Sequence, residues 1–133
     1  MKYLSHYMNS GQSALFKEKK VFFAFSQKQL NEGIEKHNLK GVKLINLGQG
    51  MFCPKVSAKA VLRALDGIYK LAIEQDLKEN GKEKVIYREL SNHECFLVGD
   101  ITDCVEKLSD YPITEEEIKD IYFKNYQTEM LKF

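Results

Sequence analysis

The sequence has almost no excess charge: twenty Lys and Arg stand against nineteen Asp and Glu, a formal +1 at pH 7. Taken whole, that excludes a protein-wide field for a polyanion and argues against nucleic acid or an anionic membrane as partner. The signs also mix locally, in Phe16-Lys17-Glu18-Lys19-Lys20 and in Lys78-Glu79-Asn80-Gly81-Lys82-Glu83-Lys84, as on a solvated face or turn. No apolar run approaches the roughly 20 residues that cross a bilayer. Met1-Lys2-Tyr3-Leu4-Ser5-His6-Tyr7 lacks the apolar centre of a signal peptide, so neither a membrane nor a secretory route is expected. Cysteines are few and odd in number, at 53, 95 and 104, with no CxxC spacing. That usage suits free thiols in a reducing cytoplasm rather than a disulfide framework. Internal repeats, low-complexity tracts and linkers are missing too, so the 133 residues read as one globular domain. Residues 1–20 are the candidate for a loosely attached N-terminal segment.

What is present is enough apolar material for a core, 44% hydrophobic and 11% aromatic. Tyr3 and Tyr7, then Ala14-Leu15-Phe16, suggest two short helical pieces broken at Asn9-Ser10-Gly11. Val21-Phe22-Phe23-Ala24-Phe25 has strand character and stops at Ser26. Ser26 with Gln29 forms an S-x-x-Q capping box, stapled by Phe25 and Leu30, and it predicts a helix from about Gln27 to His37. Val42 to Leu47 alternates as a second strand. Ser57 is a plausible cap for the longest helix, roughly Ala58 to Lys78, whose buried stripe is Val61, Leu65, Ile68 and Ala72. Gly67 lies inside it and could allow close packing. Lys82 to Asn92 fits a further helix, Glu94 to Val98 an extended segment, and Asp100 the cap of a short helix through Val105 and Leu108. Thr114 with Glu117 is a second capping box, opening the last helix with Ile118, Ile121, Tyr122 and Tyr126 inward. The sum is a helix-rich α+β domain with a small sheet of two to three short strands.

Titratable groups crowd most densely in Arg88-Glu89-Leu90-Ser91-Asn92-His93-Glu94-Cys95-Phe96-Leu97-Val98-Gly99-Asp100. His93 with Glu89 and Glu94 is the candidate acid–base set, since Glu89 and His93 fall at i,i+4 on one helical face and the carboxylate could orient the imidazole. Cys53, Cys95, His93 and Glu89 or Glu94 could be imagined as zinc ligands, but no spaced pair of ligands supports it, and no metal or cofactor is expected. The plainer reading is a corner in which Asn92 and His93 satisfy backbone groups and Cys95 packs as a small hydrophobe. Gly48-Gln49-Gly50, with Lys55 nearby, could cradle an anion if a strand leads into the glycines and a helix leaves them. Position 53 is cysteine, however, so GxGxxG is incomplete, and GxxxxGK[ST] is absent; turn geometry alone explains the glycines. Phe22, Phe23 and Phe25 could stack bases but have no interleaved Lys or Arg, which favours core packing. Cys53 as a nucleophile has no base placed beside it. Cys104 reads as core, and His6 and His37 as surface or helix-end residues.

Three segments, Phe22-Phe23-Ala24-Phe25-Ser26, Gly48-Gln49-Gly50-Met51-Phe52-Cys53-Pro54-Lys55 and Glu89-Leu90-Ser91-Asn92-His93-Glu94-Cys95-Phe96, together resemble small proteins of bacteriophages, prophages and other bacterial mobile elements. The resemblance spans about residues 20–125. Because that group has no assigned activity, it implies context only: a small accessory protein in a bacterial cytoplasm. The expected function is therefore binding to a macromolecular partner, such as a host protein. The rivals are a small hydrolase or ligand-binding enzyme built on His93 with Glu89 and Glu94, and an anion or nucleotide binder at Gly48 and Gly50.

Overall fold

A computed structural model describes residues 1–132. The chain is α+β, with seven α-helices among the described residues and one three-stranded antiparallel sheet. It divides into two compact units, Met1–Ala72 and the residues from Ile73 onward. No described helix is long and apolar enough to cross a membrane.

The first unit opens with α1 (Leu4–Lys19), a single helix rather than two pieces. Glycine at position 11 costs helix propensity, yet its missing side chain lets Ile68 approach to where a Cβ would stand 3.2 Å away. Packing therefore offsets the local break. The strands are β1 (Phe22–Phe23), β2 (Leu44–Asn46) and β3 (Met51–Pro54), in the order β1-β3-β2. The central strand is the one to which sequence reading assigns no state. Its register sets Phe22 opposite Phe52 on one side and Ile45 opposite Cys53 on the other.

Side chains alternate across this sheet. Val21, Ile45, Met51 and Cys53 join Leu15 of α1 and Val61 in one core. Phe22, Ala24, Leu44 and Phe52 join Leu39, Leu30 and Ile34 in a second, under α2 (Gln27–Lys36). The expected cap of α2 is present in altered form. Ser26 Oγ accepts from the Gln29 N–H at 3.2 Å, but Gln29 Oε1 accepts from the N–H of Phe25, one residue before the cap. His37 ends the helix and stacks on Phe22 with centroids 5.5 Å apart.

A 3-10 turn, Lys55–Ser57, leads into α3 (Ala58–Asn80), which runs across the division between the units. The second unit holds the end of α3 with α4 (Lys82–Asn92), α5 (Cys95–Val98), α6 (Thr102–Lys107) and α7 (Glu115–Met130). Val85, Ile86, Leu90, Cys95, Phe96, Cys104, Leu108, Ile118 and Tyr122 are among its buried hydrophobics. Residues 95–98 are helical, not extended. The burial pattern explains why: neighbours Cys95 and Phe96 are both buried while Leu97 and Val98 are both exposed, a pairing that a strand's alternation cannot give. Left-handed residues bracket this turn, Glu94 at φ 55° and Gly99 at φ 73°. Asp100 Oδ1 accepts from the Thr102 N–H at 2.9 Å, and the Thr114–Glu117 box forms in full at the start of α7.

Candidate functional site

The densest polar constellation lies in the second unit, where α3 ends against α4. Asp76 stands one helical turn beyond Ala72, on the continuation of the apolar stripe, so the helix carries its carboxylate inward. It is fully buried. Arg88 of α4 meets it with two bonds, Nη1 to Oδ1 at 2.8 Å and Nη2 to Oδ2 at 2.9 Å. The Tyr111 hydroxyl donates to Oδ2 at 2.6 Å and Asn80 Nδ2 donates to Oδ1 at 2.8 Å. Arg88 Nε donates to Glu89 Oε1 at 2.9 Å. His93, a turn further along α4, brings Nε2 to 3.5 Å from Glu89 Oε2; neither atom has a hydrogen-bond partner, and both are shut off from solvent.

Electrostatics follow from that wiring. Burial alone raises the Asp76 carboxyl, but the bonds from Arg88, Tyr111 and Asn80, with the guanidinium charge, outweigh it and hold it below the ordinary carboxylate value. Burial likewise works against the Arg88 charge, and Asp76 and then Glu89 more than restore it. Burial, then the bond to Asp76, pushes the Tyr111 phenol up. The ensemble is a closed ion cluster joining α3, α4 and the loop after α6. A general base needs a lone pair that a substrate can reach. Glu89 is 2% exposed, with one oxygen on Arg88 and the other enclosed. The geometry makes it a fastening.

The sequence-derived site residues separate accordingly. Glu89 and His93 do come together, as the i,i+4 spacing requires. Glu94 does not join them: it is the exposed left-handed residue between α4 and α5. Among the described residues no three His, Cys, Asp or Glu side chains converge as metal ligands, so Cys53, Cys95, His93 and the glutamates form no centre. Cys53 is packed among apolar side chains instead, and Cys95 is fully buried. The layout behind the anion site is also replaced. Gly48 and Gly50 turn a hairpin between β2 and β3, not a strand into a helix. The turn is held by bonds of its own, Gly48 N–H on Asn46 Oδ1 at 2.8 Å and Met51 N–H on the Gly48 carbonyl at 3.0 Å. Lys55 lies past the far end of β3. Asp76, Asn80 and Tyr111 were missed by sequence reasoning. A signal for Asp76 existed, since a carboxylate occupies the next place on the stripe Val61, Leu65, Ile68, Ala72.

A protein-family model described as a family of unknown function, DUF7659, matches residues 4–128. The chain belongs to this family. The match reaches across both units, so the sheet and the ion cluster both fall within the family's extent. Neither a curated protein nor a solved structure matches.

The three free thiols are all buried. Burial pushes Cys53 and Cys95 up, and burial with the charges of Cys95 and Glu89 pushes Cys104 to about 12. A thiol raised on folding contributes stability below its unfolded value, near 9, and loses it as pH climbs through the folded value. Stability should therefore decline above about pH 9, by up to roughly 1.4 kcal/mol per pH unit for each such group. Urea midpoints measured from pH 7 to 11 test this. In the native state the thiols should react with iodoacetamide only as fast as the protein opens, and an immediate reaction of all three at pH 8 would contradict the packing.

Proposed function

We propose that the protein is a non-catalytic binding protein of the bacterial cytoplasm, belonging to a phage or other mobile element, and that its second unit docks a basic amphipathic helix of a protein partner. One observation carries the reading. On α7, Phe123, Tyr126 and Met130 are exposed at i, i+3 and i+7, with Phe123 70% exposed. That spacing is how a helix presents anchors to a facing helix. The stripe has a firm floor, since Tyr122 stacks on Phe96 with centroids 5.3 Å apart and planes at 5°, and the Phe123 ring meets Tyr122 edge-on. Leu97 and Val98 are exposed on α5, which packs against α7. Clustered exposed apolar groups of this kind mark interaction surfaces. The partner's charge follows from the carboxylates in the first half of α7: Glu117 is paired with Lys82 and Glu115 with Lys119, and Glu116 and Asp120 are left to meet a cation. Free thiols and the resemblance to phage and prophage proteins support the setting.

A photo-crosslinking amino acid at position 123, expressed in a bacterial host, tests the proposal. The expected product is one discrete adduct to a partner segment with basic and apolar residues at helical spacing. It should disappear when Leu97→Asp is added, and it should not form from position 103. An adduct with a second copy of the chain would replace the proposal with self-association, and no discrete adduct would reject it.

A further inference from the structure

The near-zero net charge conceals a division. Met1–Ala72 carries twelve Lys and Arg against four Asp and Glu, a formal +8. The remainder carries eight against fifteen, a formal −7. Within the first unit the excess is concentrated further: between Glu35 and Asp66 stand six cations, Lys36, Lys40, Lys43, Lys55, Lys59 and Arg63, and no carboxylate. All six are exposed, and none of them is in an ion pair among the described residues. Asp66, the next acid along, is already engaged by Lys70 at 2.9 Å.

The fold gathers four of these charges, Lys43, Lys55, Lys59 and Arg63, instead of dispersing them. The antiparallel register that sets Leu44 opposite Pro54 continues one step outward, where the Lys55 N–H donates to the Lys43 carbonyl at 2.9 Å. Two lysines thus leave directly opposed positions at the open end of the hairpin, a cross-strand arrangement that costs stability. The 3-10 turn then carries the chain from Lys55 into α3, where Lys59 and Arg63 stand one turn apart on the exposed side. No acidic residue lies in the first turn of α3, where the helix dipole favours one. A surface that keeps like charges together against cross-strand repulsion and against the dipole points to an anionic ligand that offsets both.

We infer that the first unit binds nucleic acid through this surface, the open end of the β2–β3 hairpin and the start of α3. Nucleic acid fits the composition better than its competitors. Lysines contact phosphate as point charges, and three of the four cations gathered there are Lys, so the binding follows the backbone and reads little sequence. A protein partner is disfavoured because lysine is depleted from protein interfaces. An anionic membrane would need a continuous apolar helical face beside the cations. Here the exposed aliphatics Val42, Val56 and Leu62 lie on three separate segments. The −7 of the second unit repels the same polyanion and so decides which unit meets it.

Fluorescence anisotropy with the full chain and labelled 30-nucleotide single strands and 30-base-pair duplexes tests the inference. The expected Kd is about 1–10 µM at 50 mM salt, similar across sequences, with a slope of log K on log salt of about −3 to −5. Lys43→Glu with Lys59→Glu and Arg63→Glu should weaken binding about tenfold or more. The corresponding glutamine triple should flatten the slope by about 2 to 3. A control with the same change in net charge, Lys78→Glu with Lys84→Glu and Lys107→Glu, should retain most of the affinity. All three variants alter exposed residues, and a melting curve beside each titration separates binding loss from unfolding. Absence of binding at 50 mM salt, equal loss in the control, or binding to phosphatidylglycerol vesicles but not to nucleic acid would overturn the inference.

Discussion

Arg88→Met will remove about 3–5 kcal/mol of stability, the cost of breaking a buried ion pair by deleting one partner. Asp76 keeps its two other donors, Tyr111 and Asn80, but loses the guanidinium fork and its charge, and Glu89 loses the donor on Oε1. Against a total stability of roughly 5–15 kcal/mol that is a large share. Arg88→Lys should rescue little, because an ammonium cannot place two parallel bonds on Asp76 and a third on Glu89. Acid adds a second readout. Asp76 is held below its ordinary value of 3.8, so its contribution is present above about pH 4 and is lost as pH falls through the lower, folded value. In the methionine variant burial acts with less opposition and favours the protonated carboxyl. The difference between the two proteins should therefore shrink on acidification. Urea unfolding at pH 7 and pH 4 decides it: a cost under about 1 kcal/mol at pH 7, or a gap that widens in acid, would mean the cluster does not fasten the unit.

Gly33→Ala will destabilise the first unit by about 1–3 kcal/mol, although alanine is the better helix former. Propensity favours the change by up to about 1 kcal/mol. Opposing it, a Cβ at position 33 would lie 2.3 Å from Cδ2 and Cε2 of Phe22. That ring has little room to yield, being buried and stacked on His37 at 5.5 Å and on Phe52 at 5.9 Å. Overpacking of a filled core costs about 1–3 kcal/mol or more, so the clash wins. Gly67→Ala supplies the opposite case. It is also helical, but nothing stands within 4 Å of its added Cβ, and the substitution should stabilise by about 0.5–1 kcal/mol. Chemical denaturation of both variants measures the contrast, and stabilisation by both would show that Phe22 is not confined as described.

Elements whose evidence lies within a few residues were readable in advance. The Thr114–Glu117 box, the Ser26 stop and the Lys82–Asn92 helix rest on local hydrogen bonds and helical periodicity, and each is present. Elements defined by distant partners were not. Met51–Pro54 becomes a strand because Phe22 and Ile45 flank it from separate stretches of chain. Cys95–Val98 becomes a helical turn because no strand is offered to it, and its apolar run suits either state. The candidate site divides along the same line. Glu89 with His93 follows from spacing on one helix, whereas Asp76 with Tyr111 requires a loop 35 residues away to fold back. The charge division was not legible for a related reason, since totals over a whole chain average away a difference that falls at residue 72.

The order of charges along α3 has a consequence for how the protein responds to its medium. Lys59 sits in the first turn of α3, at the positive end of the helix dipole, where no acidic residue offsets it, whereas Lys78 in the last turn suits the negative end. Added electrolyte screens that mismatch together with the crowding of Lys43 and Lys55, over a Debye length of about 10 Å at 0.1 M. Between about 10 and 200 mM salt the free protein should melt at a rising temperature, while its hold on a polyanion weakens across the same range. Ionic strength would then act as a two-way dial, with dilute buffer favouring the occupied and less self-sufficient form, and salt favouring the empty and sturdier one.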